Sequence, residues 1–140
     1  MGDVAAVFVL REDGAALLQH RDDKPGLRDA GKWVPPGGHV DAGEATEECA
    51  RRELREETAY NPKVLHWLTS IRNGPTEHWP AYELTIFWTR YDGVQPVRCL
   101  EGQALQFIRR DEATRYDVPP YLVRAWDDAI AALAKQADPR

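Results

Sequence analysis

The sequence predicts an α/β protein that forms one domain, residues 1–140, with mostly short strands and two principal helices. Its 140 residues suit a single domain, and 43% hydrophobic residues are enough to build a core. Short apolar and β-branched segments separated by Gly, Pro and Asp turns predict strands. Two longer stretches without internal Gly predict the helices.

The N-terminal part alternates between strands and turns. Residues 4–10 are apolar and β-branched, which predicts a buried strand, and residues 15–21 form the returning strand of a hairpin. Residues 22–32 are polar and contain Pro and Gly, which predicts a loop. A short strand at residues 33–34 is expected to end at the Pro-Pro-Gly-Gly segment of residues 35–38.

The clearest helix is predicted from Glu44 to Thr58. This stretch contains no Gly or Pro, and Ala, Glu, Arg and Leu dominate it. Ala50 and Leu54 lie four positions apart and form an apolar stripe on one side. The helix is therefore expected to pack that stripe against the sheet.

The C-terminal half is expected to return to strands and to end in a helix. Strands are predicted at residues 64–71, 81–90 and 103–108, and a helical turn at residues 111–116. Pro119-Pro120 opens the final helix, since proline fits the first turn. We assign three tryptophans to the core: Trp67, Trp88 and Trp126.

Composition excludes several classes of protein. A net charge of −5 argues against a binder of nucleic acid polymers or of anionic membranes. No apolar run approaches the roughly 20 residues of a membrane span. Cys49 and Cys99 lie far apart without metal-ligand spacing, and no secretory leader is evident. We therefore expect a cytoplasmic protein.

Three carboxylates share one side of the predicted first helix. Glu53 lies three positions before Glu56 and four before Glu57, so their side chains point the same way. Their repulsion costs a few tenths of a kcal/mol per pair, and a bound divalent cation would turn this cost into affinity. Mg²⁺ prefers such oxygen ligands. The alternative is a solvated charged face, which is common in helices of this composition.

Neighbouring residues suit the same chemistry. Glu44 begins the predicted helix, where the helix dipole favours a carboxylate. Gly38 and the glycine before it allow a close backbone approach or a positive φ, so that a carbonyl can face a metal. Arg52 can hold a carboxylate in one orientation, or it can form a surface ion pair with Glu48 four positions earlier.

The spacing of these residues resembles the Nudix box, G-x5-E-x7-R-E-U-x-E-E-x-G-U, where U is bulky and apolar. Tyr60 is an acceptable bulky residue, whereas Ala59 replaces the glycine that normally ends the helix in a left-handed conformation. The resemblance implies an α/β/α sandwich with a mixed β-sheet and a catalytic loop-helix-loop. It also implies a Nudix hydrolase that cleaves a diphosphate linkage in a nucleoside diphosphate derivative. The matching positions are Gly38, Glu44, Arg52, Glu53, Leu54, Glu56 and Glu57.

The resemblance also implies roles for individual residues. Glu53, Glu56 and Glu57 would bind Mg²⁺, with Mn²⁺ as an alternative, and Glu56 is the first candidate for the base. The Gly38 carbonyl and Glu44 would assist as contacts to the metal or to the substrate. The catalytic group predicted in this way consists of Arg52, Glu53, Glu56 and Glu57.

Outside the box, Glu101 begins a Glu-Gly-Gln segment that many MutT-like members carry close to the metal; a plain turn is the alternative. Arg21 is a candidate for binding a substrate phosphate, or for an ion pair with one of the two aspartates that follow it. Trp79 and Tyr82 are candidates for stacking on a base or ribose, or for the core.

The substrate class is left open between two kinds of nucleotide. Pro75 lies near a proline found in some ADP-ribose-cleaving members, whereas the Glu-Gly-Gln segment and residues 117–120 resemble MutT-like nucleoside triphosphatases. Tyr121 and Leu122 follow the Pro-Pro where members that act on oxidised guanine use an amide side chain. We therefore predict a small nucleotide-like di- or triphosphate as substrate. The alternatives are an ADP-ribose or nucleotide-sugar pyrophosphatase and a non-catalytic nucleotide-binding module; a homodimer is also left open.

Overall fold

The computed structural model describes residues 2–77 and 80–137. Within these residues no helix is long and apolar enough to cross a lipid bilayer. A 3-10 helix, Arg110–Arg115, precedes the last α-helix. The strands and α-helices are β1 (Val4–Leu10), β2 (Ala16–His20), β3 (Trp33–Val34), β4 (Gly37–His39), α1 (Thr46–Thr58), β5 (His66–Asn73), β6 (Tyr82–Arg90), β7 (Ala104–Ile108) and α2 (Pro120–Ala137).

The strands form one mixed sheet around β1. β1 pairs in parallel with β6 along its whole length, and its N-terminal half pairs antiparallel with β4. β6 continues antiparallel into the edge strand β5, while β2 pairs antiparallel with both β3 and β7. β1 meets β2 at Leu10 and Ala16. The sheet is therefore mixed, as the resemblance to the Nudix family implied.

Two hydrophobic cores lie on opposite faces of this sheet. Ala5, Val7 and Val9 of β1 belong to the core that contains Ala50 and Leu54 of α1. The residues of β1 between them face the other core, because successive side chains of a strand point to opposite faces. A strand covered on both faces is apolar throughout, as β1 is. The α/β/α sandwich is confirmed. On its second face the core includes Val4, Ala6, Phe8, Leu10, Leu122, Trp126 and Leu133.

The assignment of tryptophans to the core is correct for two residues and wrong for the third. Trp126 is fully buried and Trp88 is 4% exposed. Trp67 is 63% exposed, because it lies on the edge strand β5 where a register shift interrupts the pairing with β6.

Helix α1 begins two residues later than predicted, at Thr46. Ala45 is its N-cap, and the backbone N–H of Ala45 donates to the Glu48 carboxylate at 2.8 Å. The helix ends at Ala59, whose φ of 68° is the left-handed conformation that the missing glycine would take.

Strand β3 ends before the Pro-Pro-Gly-Gly segment, as predicted, but the strand that the glycines of this segment begin was not predicted. Gly37–His39 form β4 and pair with β1. The close approach requires glycine, since a Cβ on Gly37 would lie 2.2 Å from the Ala5 carbonyl oxygen. This pairing brings Gly38 against α1.

Candidate active site

Two carboxyl groups on α1 lie in contact. Glu57 is 2% exposed, and its carboxyl is hydrogen-bonded to that of Glu53, one turn earlier. Burial raises the pKa of Glu57, and the hydrogen bond with Glu53 and the nearby charge of Glu101 raise it further. The raised pKa favours the protonated form of Glu57, which can donate to Glu53.

The Glu57 carboxyl is held in place by two donors. Its Oε1 accepts hydrogen bonds from the backbone N–H of Gly37 and from Nε2 of Gln19, both at 3.2 Å. Gln19 also donates to the Glu101 carbonyl oxygen at 3.4 Å. One oxygen of Glu57 is thus bound by the protein, which leaves the other for Glu53 or for a cation. Gln19 is not among the residues predicted from the sequence, although an amide directly after three apolar residues of a strand was a usable signal.

Arg52 connects the remaining carboxylates. Its Nε and Nη2 bind the two oxygens of Glu44 at 2.7 and 3.0 Å. Its Nη1 donates to Glu53 at 3.0 Å and to Glu56 at 3.1 Å. Hydrogen bonds from Arg52 lower the pKa of Glu44 to about 2. The ion pair with Glu48, considered from the sequence, is not formed because Glu48 caps α1 instead.

Glu44 itself lies before α1 and not within it. Its carboxylate accepts a hydrogen bond from the Asp41 backbone N–H at 3.0 Å as well as those from Arg52. Glu44 therefore acts as an anchor for the guanidinium, which in turn fixes the orientation of Glu53.

The predicted convergence of three carboxylates is only partly formed. Glu53 and Glu57 meet, whereas Glu56 is 54% exposed and is held by Arg52. Among the residues that the structure describes, no group of three or more His, Cys, Asp or Glu side chains is placed to hold a metal ion.

The donor set nevertheless fits a hard divalent cation. The carboxyl groups of Glu53 and Glu57 lie in contact, and a cation bound there would offset the repulsion between their negative charges. Gly38 keeps this space open, since a Cβ there would lie 2.3–2.6 Å from the carboxyl carbon and oxygens of Glu53. Its carbonyl oxygen accepts a hydrogen bond from the buried thiol of Cys49 at 3.5 Å.

A narrow cleft with a volume of about 30 Å³ lies beside this group and includes Gly37 in its wall. Arg21 also lines it, and the Nε of Arg21 is buried without a hydrogen-bond partner among the described residues. Burial lowers the pKa of Arg21, and the charge of Arg28 lowers it further. No ion pair joins Arg21 to Asp22 in the described part of the chain; Asp22 pairs with Lys24 at 3.9 Å.

Of the other predicted site residues, Tyr82 lines the cleft and Glu101 does not. Tyr82 lines the cleft, with the guanidinium of Arg28 5.2 Å from its ring centroid and Nδ2 of Asn73 donating to its hydroxyl at 3.1 Å. Glu101 is exposed on the turn before β7, near enough for its charge to act on Glu57 and Arg21. Trp79 lies outside the described residues.

A mixed sheet between two helices, with an acidic site suited to a divalent cation beside a cleft, defines the class of protein. Residues 2–129 match the NUDIX domain, so the chain belongs to the Nudix hydrolase family. The family predicted from the box is thereby confirmed. Nudix hydrolases generally use divalent metals and act on small nucleotide substrates.

Known proteins resemble this chain to different extents. It is 45% identical over 119 residues to the nucleoside triphosphatase NudI of Escherichia coli, which covers 79% of this chain and 84% of that protein. It is 49% identical over 57 residues to the putative 8-oxo-dGTP diphosphatase of Bacillus subtilis, covering 41% and 34%. The crystal structure of a MutT NUDIX hydrolase from Burkholderia pseudomallei has the same fold, with a TM-score of 0.75, 22% identity and coverage of 91% and 96%. The chain spans only 18%, 34% and 65% of the length of three curated relatives that it matches.

Proposed function

We propose that this chain is a Mg²⁺-dependent pyrophosphohydrolase that cleaves a diphosphate linkage in a nucleoside di- or triphosphate derivative, with Mn²⁺ as an alternative metal. The observation that supports this best is the contact between Glu53 and the buried Glu57, near the buried Nε of Arg21, which has no partner among the described residues. Gly37 connects the two parts, since its N–H binds Glu57 and it lines the cleft together with Arg21. The arrangement therefore offers carboxyl oxygens to a cation and a guanidinium to a phosphate. The family match over residues 2–129 supports one domain for the chain.

Bound Mg²⁺ would neutralise the diphosphate and lower the pKa of a water molecule. Glu53 and Glu57 would hold it, with the Gly38 carbonyl nearby. Arg52 fixes the orientation of Glu53 through its bonds to Glu44. The work of the protein around the cation is therefore to present carboxylates that are already placed.

Glu56 remains the first candidate for accepting the proton of the attacking water. Its side chain is 54% exposed and accepts a hydrogen bond from Arg52 at 3.1 Å, so the carboxylate is held at the edge of the site where water can reach it. Glu101 is the second candidate near the cation, because its charge acts on Glu57 across the rim of the site.

The cleft supplies the substrate contacts. Arg21 can bind a phosphate through two parallel donors, which would also satisfy its buried Nε. Tyr82 and the apolar side chains of the cleft wall, among them Val34 and Leu84, offer a surface for a flat ring. The similarity to a protein named nucleoside triphosphatase over 79% of this chain supports a triphosphate substrate.

A substrate panel tests the proposal. The four nucleoside triphosphates, ADP-ribose and UDP-glucose are incubated with the full chain in Mg²⁺ and, separately, in EDTA, and the products are identified by ion-exchange chromatography. We expect Mg²⁺-dependent release of a nucleoside monophosphate and pyrophosphate from triphosphates. Turnover of ADP-ribose alone would replace the triphosphate by that substrate, and no turnover of any compound would overturn the proposal.

Variants of α1 then test the site. Glu53→Gln and Glu57→Gln should each lower kcat by about 100-fold or more, because each removes a cation ligand. Glu47→Gln is the matched control, since Glu47 lies on the same helix but pairs with Arg51 at the surface. Unchanged rates in both site variants would remove the assignment.

A further inference from the structure

Asp29 lies in the same cleft and has no role in the site described so far. Four residues, Arg28, Asp29, Tyr82 and Tyr121, line both the cleft and an adjoining pocket that contains Asn73. Neither Arg21 nor Gly37 lines that second pocket. The four residues therefore lie at the end of the cleft away from the paired carboxyl groups, where the base of a bound nucleotide would reach.

The conformation of Asp29 is unusual. Its φ of 53° is left-handed, and the structure describes one other non-glycine residue with positive φ, Ala59. Asp tolerates this region better than most residues, yet it is uncommon even for Asp. An outlier of this kind is a reason to look for a function of the side chain.

The carboxylate of Asp29 has unused hydrogen-bonding capacity. Its partner among the described residues is the hydroxyl of Tyr121, at 3.5 Å, the outer limit of a hydrogen bond. A carboxylate accepts about four hydrogen bonds. The charge of Asp29 adds to burial in raising the pKa of Tyr121, so the hydroxyl stays protonated and able to donate. Most of the acceptor capacity of Asp29, which lines the cleft, therefore has no partner among the described residues.

Two adjacent acceptors distinguish the nucleobases by their Watson–Crick edges. Guanine presents two adjacent N–H donors, N1–H and the 2-amino group, which match the two oxygens of a carboxylate. Adenine and cytosine place a ring-nitrogen acceptor beside their amino group, and uracil flanks its N–H with two carbonyl oxygens. Each of those acceptors would repel one carboxylate oxygen.

Resting on the proposed function, we propose that Asp29 determines base specificity and selects guanine. Its two oxygens accept from N1–H and the 2-amino group, while the guanidinium of Arg28 in the same cleft offers donors for the neighbouring O6 acceptor. The two residues directly after Pro119-Pro120, Tyr121 and Leu122, carry no amide that could read the base. The loop between β2 and β3 supplies the discriminating group in its place.

The variant that tests this is Asp29→Asn. Asn has the same shape and tolerates a left-handed φ equally well, but it replaces one acceptor by an N–H donor. One acceptor beside one donor matches a pair of groups that all four bases present, so the preference for two adjacent donors is lost. Asp23→Asn is the control, because Asp23 is exposed in the same loop and carries the same charge.

Binding of GMP, AMP, CMP and UMP is measured by isothermal titration calorimetry in EDTA, so that base recognition is separated from hydrolysis. We expect wild type and Asp23→Asn to bind GMP roughly 10- to 100-fold more tightly than the other three. Asp29→Asn should lose that factor for GMP and should bind AMP or CMP at least as tightly as wild type does.

The outcomes separate the two proposals. Equal binding of the four monophosphates to wild type, or a guanine preference that survives in Asp29→Asn, overturns the role of Asp29 even if triphosphates are hydrolysed. A guanine preference that disappears in Asp29→Asn supports it even if no hydrolysis is found, in which case the pyrophosphohydrolase proposal alone fails.

Discussion

Replacing Glu57 by glutamine perturbs the paired carboxyl groups without changing their shape. The amide oxygen of the introduced side chain would keep the bonds from the backbone N–H of Gly37 and from Gln19. Its amide N–H would donate to Glu53, as the protonated carboxyl does. The Glu57→Gln variant therefore holds permanently the arrangement that wild type reaches only by keeping a proton.

The size of the effect follows from the pKa of Glu57. Because the folded-state pKa is raised above its ordinary value of 4.5, the full stability is present below pH 4.5 and is lost as pH rises through the folded-state pKa. Each pH unit in that window costs wild type up to about 1.4 kcal/mol, so pH 7.5 sets an upper limit of about 4 kcal/mol. Partial ionisation and local relaxation reduce this destabilisation of wild type. We therefore expect Glu57→Gln to be about 1–3 kcal/mol more stable than wild type at pH 7.5 and nearly equal to it at pH 4.5.

Urea unfolding followed by tryptophan fluorescence in EDTA, at pH 4.5, 6 and 7.5, measures this difference. Glu56→Gln is the control, because Glu56 is 54% exposed and its loss should change the unfolding free energy by less than about 0.5 kcal/mol at every pH. A stability difference between Glu57→Gln and wild type that does not grow with pH would refute the reasoning. It would show that Glu57 is ionised in the folded, metal-free protein.

Three further substitutions test single features of the structure. Gly38→Ala should lower kcat by about 100-fold with an unchanged circular dichroism spectrum, because the added Cβ would lie 2.3–2.6 Å from the Glu53 carboxyl atoms and displace them. A normal rate would show that Glu53 can move freely. Arg21→Lys should raise KM by roughly 10- to 100-fold, since lysine cannot bind a phosphate through two parallel donors. Its unfolding free energy should not fall, because the Arg21 Nε has no partner to lose among the described residues. An unchanged KM would show that Arg21 does not bind the phosphate. Ala59→Gly should stabilise the protein by about 0.5–1 kcal/mol in urea unfolding, because glycine adopts a φ of 68° without strain; no gain would mean that the end of α1 is not strained.

Local patterns in the sequence were sufficient for much of the fold. The apolar run of Val4–Leu10 predicted a buried strand, and β1 is covered on both faces. Glycine-free composition predicted α1 to within two residues at its start. Helix geometry alone places Glu53 and Glu57 one turn apart, so their proximity was predictable from spacing. These features depend on residues only a few positions apart.

Other features depend on segments that are distant in the sequence, and only the tertiary structure decided them. Gln19 reaches Glu57 across 38 positions, and Tyr121 reaches Asp29 across 92. The exposure of Trp67 follows from the position of β5 at the sheet edge, which its own residues do not encode. Several carboxylates lie near Arg52 in the sequence. Arg52 pairs with Glu44 and not with Glu48, because Glu48 accepts the hydrogen bond from the Ala45 N–H at the start of α1. The sequence by itself therefore determined the acidic helix and its chemistry. The order of the strands decided which distant side chains anchor that helix and form the cleft beside it, because packing brings together residues that no local spacing relates.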